Sequence, residues 1–170
     1  VGSEMCIRDS TCNVCMRDLR AKLSPRTKVI MFVHWGGTPV DLDEVAAIQK
    51  ECFQLYGFKP AVIEDCAHAI GAEWKGVKLG AHGNSTCVFS LQAIKHLTAV
   101  DGGLITLPDR QQYERCKLLR WFGISREQRN YKGTDFRLEA DIPEYGFKMH
   151  MNDVNATVAL ANLPHLEDKV

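Results

Sequence analysis

A chain of 170 residues, 45% hydrophobic and 25% charged, is long enough for one α/β domain with a real core, which argues against disorder. Its 21 basic and 21 acidic residues balance, so no whole-chain field favours nucleic acid or an anionic membrane. The longest strongly apolar run, Val29 to Val33, is far shorter than the roughly 20 residues a bilayer-spanning helix needs.

Residues 1–10 continue no downstream periodicity and resemble a translated sequencing-adapter scar, so they are set aside as non-native and the fold is read from 11–170. The other end, Pro164 to Val170, stops in a charged segment without a turn signal and looks cut. Seven cysteines, an odd number at scattered spacings with no evident signal peptide, fit a reducing cytosol and a cytoplasmic protein. They read mostly as buried small hydrophobes. Cys12 and Cys15 form a C-x-x-C, but neither a second ligand pair nor a strand and helix flank it, so no metal is expected there.

Val29 to Val33 is short, β-rich and closed by Gly36 and Gly37, which predicts a buried strand. Asp41 and Asp43 offer N-caps to a helix with Val45, Ile48, Cys52 and Leu55 at helical spacing and Gly57 as its stop. Ala61 to Ile63 predicts a second strand. Thr86 to Phe89, after the turn-forming Gly71, Gly76, Gly80 and Gly83, predicts a third, and Leu104 to Leu107 a fourth. Asp109 caps a helix to about Phe122, ended by Gly123. Arg126 to Glu144 reads as a long surface loop. Asn152 or Asp153 caps a last helix along Val154, Thr157, Val158, Ala161 and Leu163. Strands alternating with helices predict an α/β fold with a mostly parallel sheet flanked by helices.

Ligands of open α/β sheets settle at the carboxyl ends of the strands. Two polar runs fall there: Glu64-Asp65-Cys66-Ala67-His68 after the second strand, and Ser90 to Thr98 after the third. Together they offer a carboxylate, an imidazole, a hydroxyl, an amide and the amine of Lys95, leading into Asp101-Gly102-Gly103. That set suits pyridoxal 5'-phosphate (PLP), which needs a lysine amine for its aldehyde, an anion at its ring nitrogen and donors for its phosphate.

The runs VIEDCAHAIGAEWKG and VFSLQAIKHLTAVDGGLIT, with SPRTKVIMFVHWGGTPVDLDEV before and GFKMHMNDVNATVALANL after, resemble the DegT/DnrJ/StrS-type sugar aminotransferases of the fold-type I PLP enzymes. The resemblance spans Leu19 to Leu166. It implies Lys95 as the Schiff-base lysine and acid/base, Asp65 at the ring nitrogen, and His68 against the ring. It places Ser90 and Gln92 in contact with the cofactor, Ser90 at its phosphate. Lys148 stands where many members carry an asparagine that reaches the partner subunit's cofactor phosphate, and a lysine could serve that anion as a point charge. Without the motif these residues have plainer roles. Lysine is usually a solvated surface charge, Asp65 could cap a turn, His68 could be a satisfied core histidine, and Ser90 and Gln92 could bond loop backbone. His34 and Trp35 read as packing, while His96 and Thr98 are left open.

What the resemblance implies is amino transfer from glutamate or glutamine to a nucleotide-linked keto-sugar, in a homodimer. It implies too that 11–170 is a partial large domain, missing its N-terminal part and the C-terminal small domain, and inactive alone. The alternatives are a homologue that binds PLP without turnover, and a related sugar dehydratase, which typically has histidine at the lysine position. Lys95 argues against the dehydratase.

Overall fold

The computed structural model describes residues 7–125, 127, 142 and 144–170. Its centre is a four-stranded sheet in the order β1-β2-β5-β6, built from β1 (Val29–Val33), β2 (Ala61–Asp65), β5 (Thr86–Ser90) and β6 (Gly103–Thr106). β1, β2 and β5 run parallel, and β6 returns antiparallel against β5. The mostly parallel α/β sheet read from the sequence is therefore present.

The alternation of each strand decides which side is packed. Ile30 and Phe32 of β1, Val62 of β2, and Cys87 and Phe89 of β5 are buried, whereas Met31 is 65% and Val88 41% exposed. The buried side takes α2 (Leu42–Tyr56), the crossover between β1 and β2. Asp41 caps this helix by accepting the Glu44 amide at 2.9 Å, and Gly57 ends it at φ 76, where glycine is unstrained. Val45, Ile48 and Cys52 face the core, but Leu55, read as their partner, is 70% exposed because it lies past the last buried turn.

Several elements had no sequence forecast. The helix α1 (Met16–Lys22) packs beside α2, with Arg20 bonded to Glu44 and Glu51. A hairpin of β3 (Glu73–Trp74) and β4 (Val77–Lys78) forms inside the Gly-rich stretch and is tied to α2 by Lys75 and Asp43. Ile7 bridges Val14 across the turn that begins the described chain.

Farther along, α3 (Arg110–Leu119) is capped by Asp109, and α4 (Asp153–Asn162) by Asn152. α3 is shorter than read from the sequence, which carried it to Phe122. The chain leaves the helix at Arg120, and Phe122 and Gly123 take φ of 54° and 74°. Val154, near the start of α4, is 73% exposed. The loop read over Arg126 to Glu144 lies almost wholly outside the described residues. Among the described residues, no helix is long and apolar enough to cross a membrane.

Candidate functional site

Because β2 and β5 run parallel with Asp65 opposite Val88, their carboxyl ends finish side by side. Gly103 pairs with Ser90, so the start of β6 reaches the same edge. There a depression of ≈ 380 Å³ is lined by Asp65, Ala67, Ser90, Gly102 and Gly103, floored by Met31, Ile63 and Val88 of the uncovered sheet side. It brings two of the predicted residues, Asp65 and Ser90, together.

Asp65 Oδ1 accepts the Ala67 amide at 2.9 Å, and among the described residues no hydrogen bond engages Oδ2. Ser90 Oγ accepts the Gln92 amide at 3.3 Å, and Gln92 Oε1 accepts the Ile94 amide at 3.2 Å. Both side chains thus shape the loop backbone, while the Ser90 proton and the Gln92 amino group stay outside these two bonds.

Lys95 and Gln92 do not line the depression; they lie in the loop that leaves it at Ser90 and returns at Gly102. The loop is closed at its base by Leu91 N–H to Gly102 O (2.9 Å) and Ala99 N–H to Leu91 O (2.8 Å). Lys95 is half-buried, its amide bonded to Gln92 O at 2.9 Å. His68 stands one residue beyond Ala67. Its ring meets Trp35 edge to face at 5.1 Å, and its Nδ1 faces the Gly36 amide at 3.4 Å. Lys148 is exposed, pairs in a bridge with Trp121 and does not line the depression.

A larger cavity of ≈ 720 Å³ lies between α3 and the start of α4, lined by Lys117, Arg120, Trp121, His150, Asn152 and Asp153 among others. It contains none of the predicted site residues, so its size alone says nothing about the chemistry.

Sequence reasoning missed a buried polar cluster directly behind Asp65. His34, fully buried, lies with Nε2 2.8 Å from Glu64 Oε2, and Ser85 Oγ donates to Glu64 Oε1. The Val40 amide donates to His34 Nδ1 at 2.9 Å, which makes Nδ1 an acceptor and places the ring proton on Nε2, facing the carboxylate. Burial pushes Glu64 up, but the bonds from His34 and Ser85 outweigh it and hold the carboxyl below its ordinary value.

Cys66 Sγ joins His34 and Glu64 within 4.8 Å, a grouping that could suggest a metal. The hydrogen bonds argue otherwise. A metal-bound histidine normally donates its second ring N–H, whereas here that nitrogen already accepts a backbone amide. The signal in the sequence was a glutamate between Val62 and Cys66 on the inward positions of a strand. Asn13, also buried, was missed as well: its side chain joins the Trp35 amide (2.9 Å) to Thr38 O (3.0 Å) and fixes the turn above His68.

AtS13 from Actinomadura melliaura shares this architecture at TM-score 0.87 and 46% identity, over 98% of this chain and 43% of that one. The sugar aminotransferase CalS13 from Micromonospora echinospora superposes at TM-score 0.84 and 39% identity, over 95% of this chain and 42% of its own. A curated relative, the uncharacterized protein MJ1066 of Methanocaldococcus jannaschii, is 35% identical over 161 residues, 95% of this chain and 40% of that protein. The chain thus spans well under half the length of the relatives it matches. Residues 5–170 match one family along nearly the whole sequence. By that match, the chain belongs to the DegT/DnrJ/EryC1/StrS aminotransferase family.

Proposed function

We propose that the intact protein is a PLP-dependent aminotransferase that moves an amino group from glutamate or glutamine to a nucleotide-linked keto-sugar. Family membership and the likeness to a sugar aminotransferase support the reaction class and a sugar acceptor. The observation that carries the site is the shared edge of β2 and β5, which sets Asp65 and Ser90 in one depression at the foot of the Lys95 loop.

The residues present fit the cofactor. Asp65 has an oxygen for a ring nitrogen, Ser90 a hydroxyl for a phosphate, and Gly102 and Gly103 leave that wall without side chains. When bound, PLP supplies an electron-withdrawing ring that takes up the pair left when a proton departs the substrate carbon. With PLP in place, the Asp65 carboxylate would keep the ring nitrogen protonated, and Lys95 Nζ would hold the aldehyde and carry the proton. His68, Gln92 and Ser90 would supply the remaining contacts to it.

The protein in this reading is a cytoplasmic homodimer, with Lys148 offering its ammonium to the partner subunit's cofactor phosphate. Residues 11–170 are a partial large domain that does not turn over substrate alone. The test is to incubate the chain with PLP, reduce with borohydride and map the peptides. Label on Lys95 that disappears in Lys95→Ala is the expected result. An equal yield of adduct in Lys95→Ala would sink the lysine assignment.

A further inference from the structure

We propose that Asn155 and Asn162, on one face of α4, are positioning residues that clamp the loop carrying Lys95. The catalytic meaning of that loop rests on the function proposed above, but the clamp itself is geometric. Asn155 Nδ2 donates to Asp101 O at 2.8 Å, and Asn162 Nδ2 donates to Thr98 O at 3.3 Å while also reaching Val158 O at 3.0 Å.

The two carbonyls flank an unfavourable backbone. Val100, between Thr98 and Asp101, has φ 68, a left-handed conformation in which a β-branched residue is a true outlier. Such a conformation persists only where its surroundings over-determine it. Here the Val100 amide is held by Thr98 Oγ1 at 2.9 Å, and the asparagines fix the chain on either side.

The helix supplies both donors at once because positions 155 and 162 are two turns apart and share a face. Ala159, between them on that face, packs on the cluster of Leu91, Leu97, Ala99 and Leu166. A small residue there lets the helix approach the loop closely enough for asparagine side chains to span the gap. Leu91, Leu97 and Ala99 belong to the same loop as Lys95, so apolar packing sets its distance from α4 and the two amides set its backbone path.

The test compares Asn155→Asp and Asn162→Asp, which keep shape but remove the donor, by amide hydrogen exchange and by PLP trapping on Lys95. Each variant is expected to raise exchange at residues 97–102 roughly fivefold, the equivalent of one net hydrogen bond, and to leave β1 and β2 unchanged. Trapping on Lys95 is expected to slow, with a displaced pH profile. Unchanged loop exchange overturns the clamp, as does a rise shared equally by β1 and β2, which would make α4 a general fold support. Should an aspartate variant fail to fold, Asn155→Gln decides. Loop protection kept within about a factor of two where Asn155→Ala loses it supports the clamp, and protection left unchanged in Asn155→Ala overturns it. If the parent chain takes no label on Lys95, the cofactor reading falls while exchange still decides the clamp.

Discussion

His34 Nε2 and Glu64 Oε2 lie 2.8 Å apart in the core, on the side of β2 opposite Asp65. The pair ties β1 to β2 just where both strands end, and Ser85 extends the tie toward β5. Removing one member leaves the others buried without partners, which costs more than the net value of one bond. Glu64→Ala is expected to lower unfolding free energy by about 3 kcal/mol, and Glu64→Gln, which can still accept from His34 and donate to Ser85, by about 1 kcal/mol, both read by urea denaturation.

The same network sets a pH response. A carboxyl held below its ordinary value contributes stability that is full above its unfolded pKa and is lost as pH falls through its folded value. The advantage of the parent over Glu64→Gln should therefore be constant near neutrality and shrink in acid below the usual carboxylate range. A gap that stayed constant through the acid transition would show that Glu64 is not the titrating group.

Thiol labelling should follow exposure rather than acidity. Hydrogen bonding from Cys66 draws the Cys87 thiol down to about 7 against the opposing effect of burial, with Ser85 helping, while Cys66 is pushed up as the donor. Cys87 is only 2% exposed, whereas Cys12 is open to solvent. Iodoacetamide at neutral pH should modify Cys12 first and leave Cys52, Cys66 and Cys87 untouched until the chain unfolds, as peptide mapping will report.

Gly102 at the depression and Gly36 in the turn after β1 differ in what they tolerate. Gly102 has φ +139, and a Cβ there would meet Met151 Cε at 2.7 Å, whereas Gly36, at φ +59, faces open space. Gly102→Ala should cost about 2–3 kcal/mol, and Gly36→Ala only about 1 kcal/mol. Adding Met151→Ala should recover only part of the Gly102→Ala loss, because the backbone strain remains.

In the intact protein, Asp65→Ala should retain the borohydride-stable PLP adduct on Lys95 yet lose transamination by roughly a hundredfold or more, measured with glutamate as donor. Loss of adduct and turnover in equal measure would assign Asp65 to folding.

The sheet was legible because its strands carry apolar runs, and the meeting of Asp65 and Ser90 at its edge because two polar runs follow strands directly. Asp41, Asp109 and Asn152 announced their helices, since each accepts the third amide onward. α1 and the β3–β4 hairpin were not legible: one lacks a capping side chain, and the other has two-residue strands too short for any period. The inward glutamate network and the asparagine face of α4 escaped notice because each joins residues more than twenty positions apart.

Among the described residues β6 forms one margin of the sheet, with Gly103, Leu104 and Ile105 all exposed and β5 as its single neighbour. Breathing at that margin reaches Asp101 and Gly102 before it touches β1 or β2. The strand that ends the lysine's loop is thus the hem of the sheet, and under our proposal the helix across from it shares in keeping the amine still.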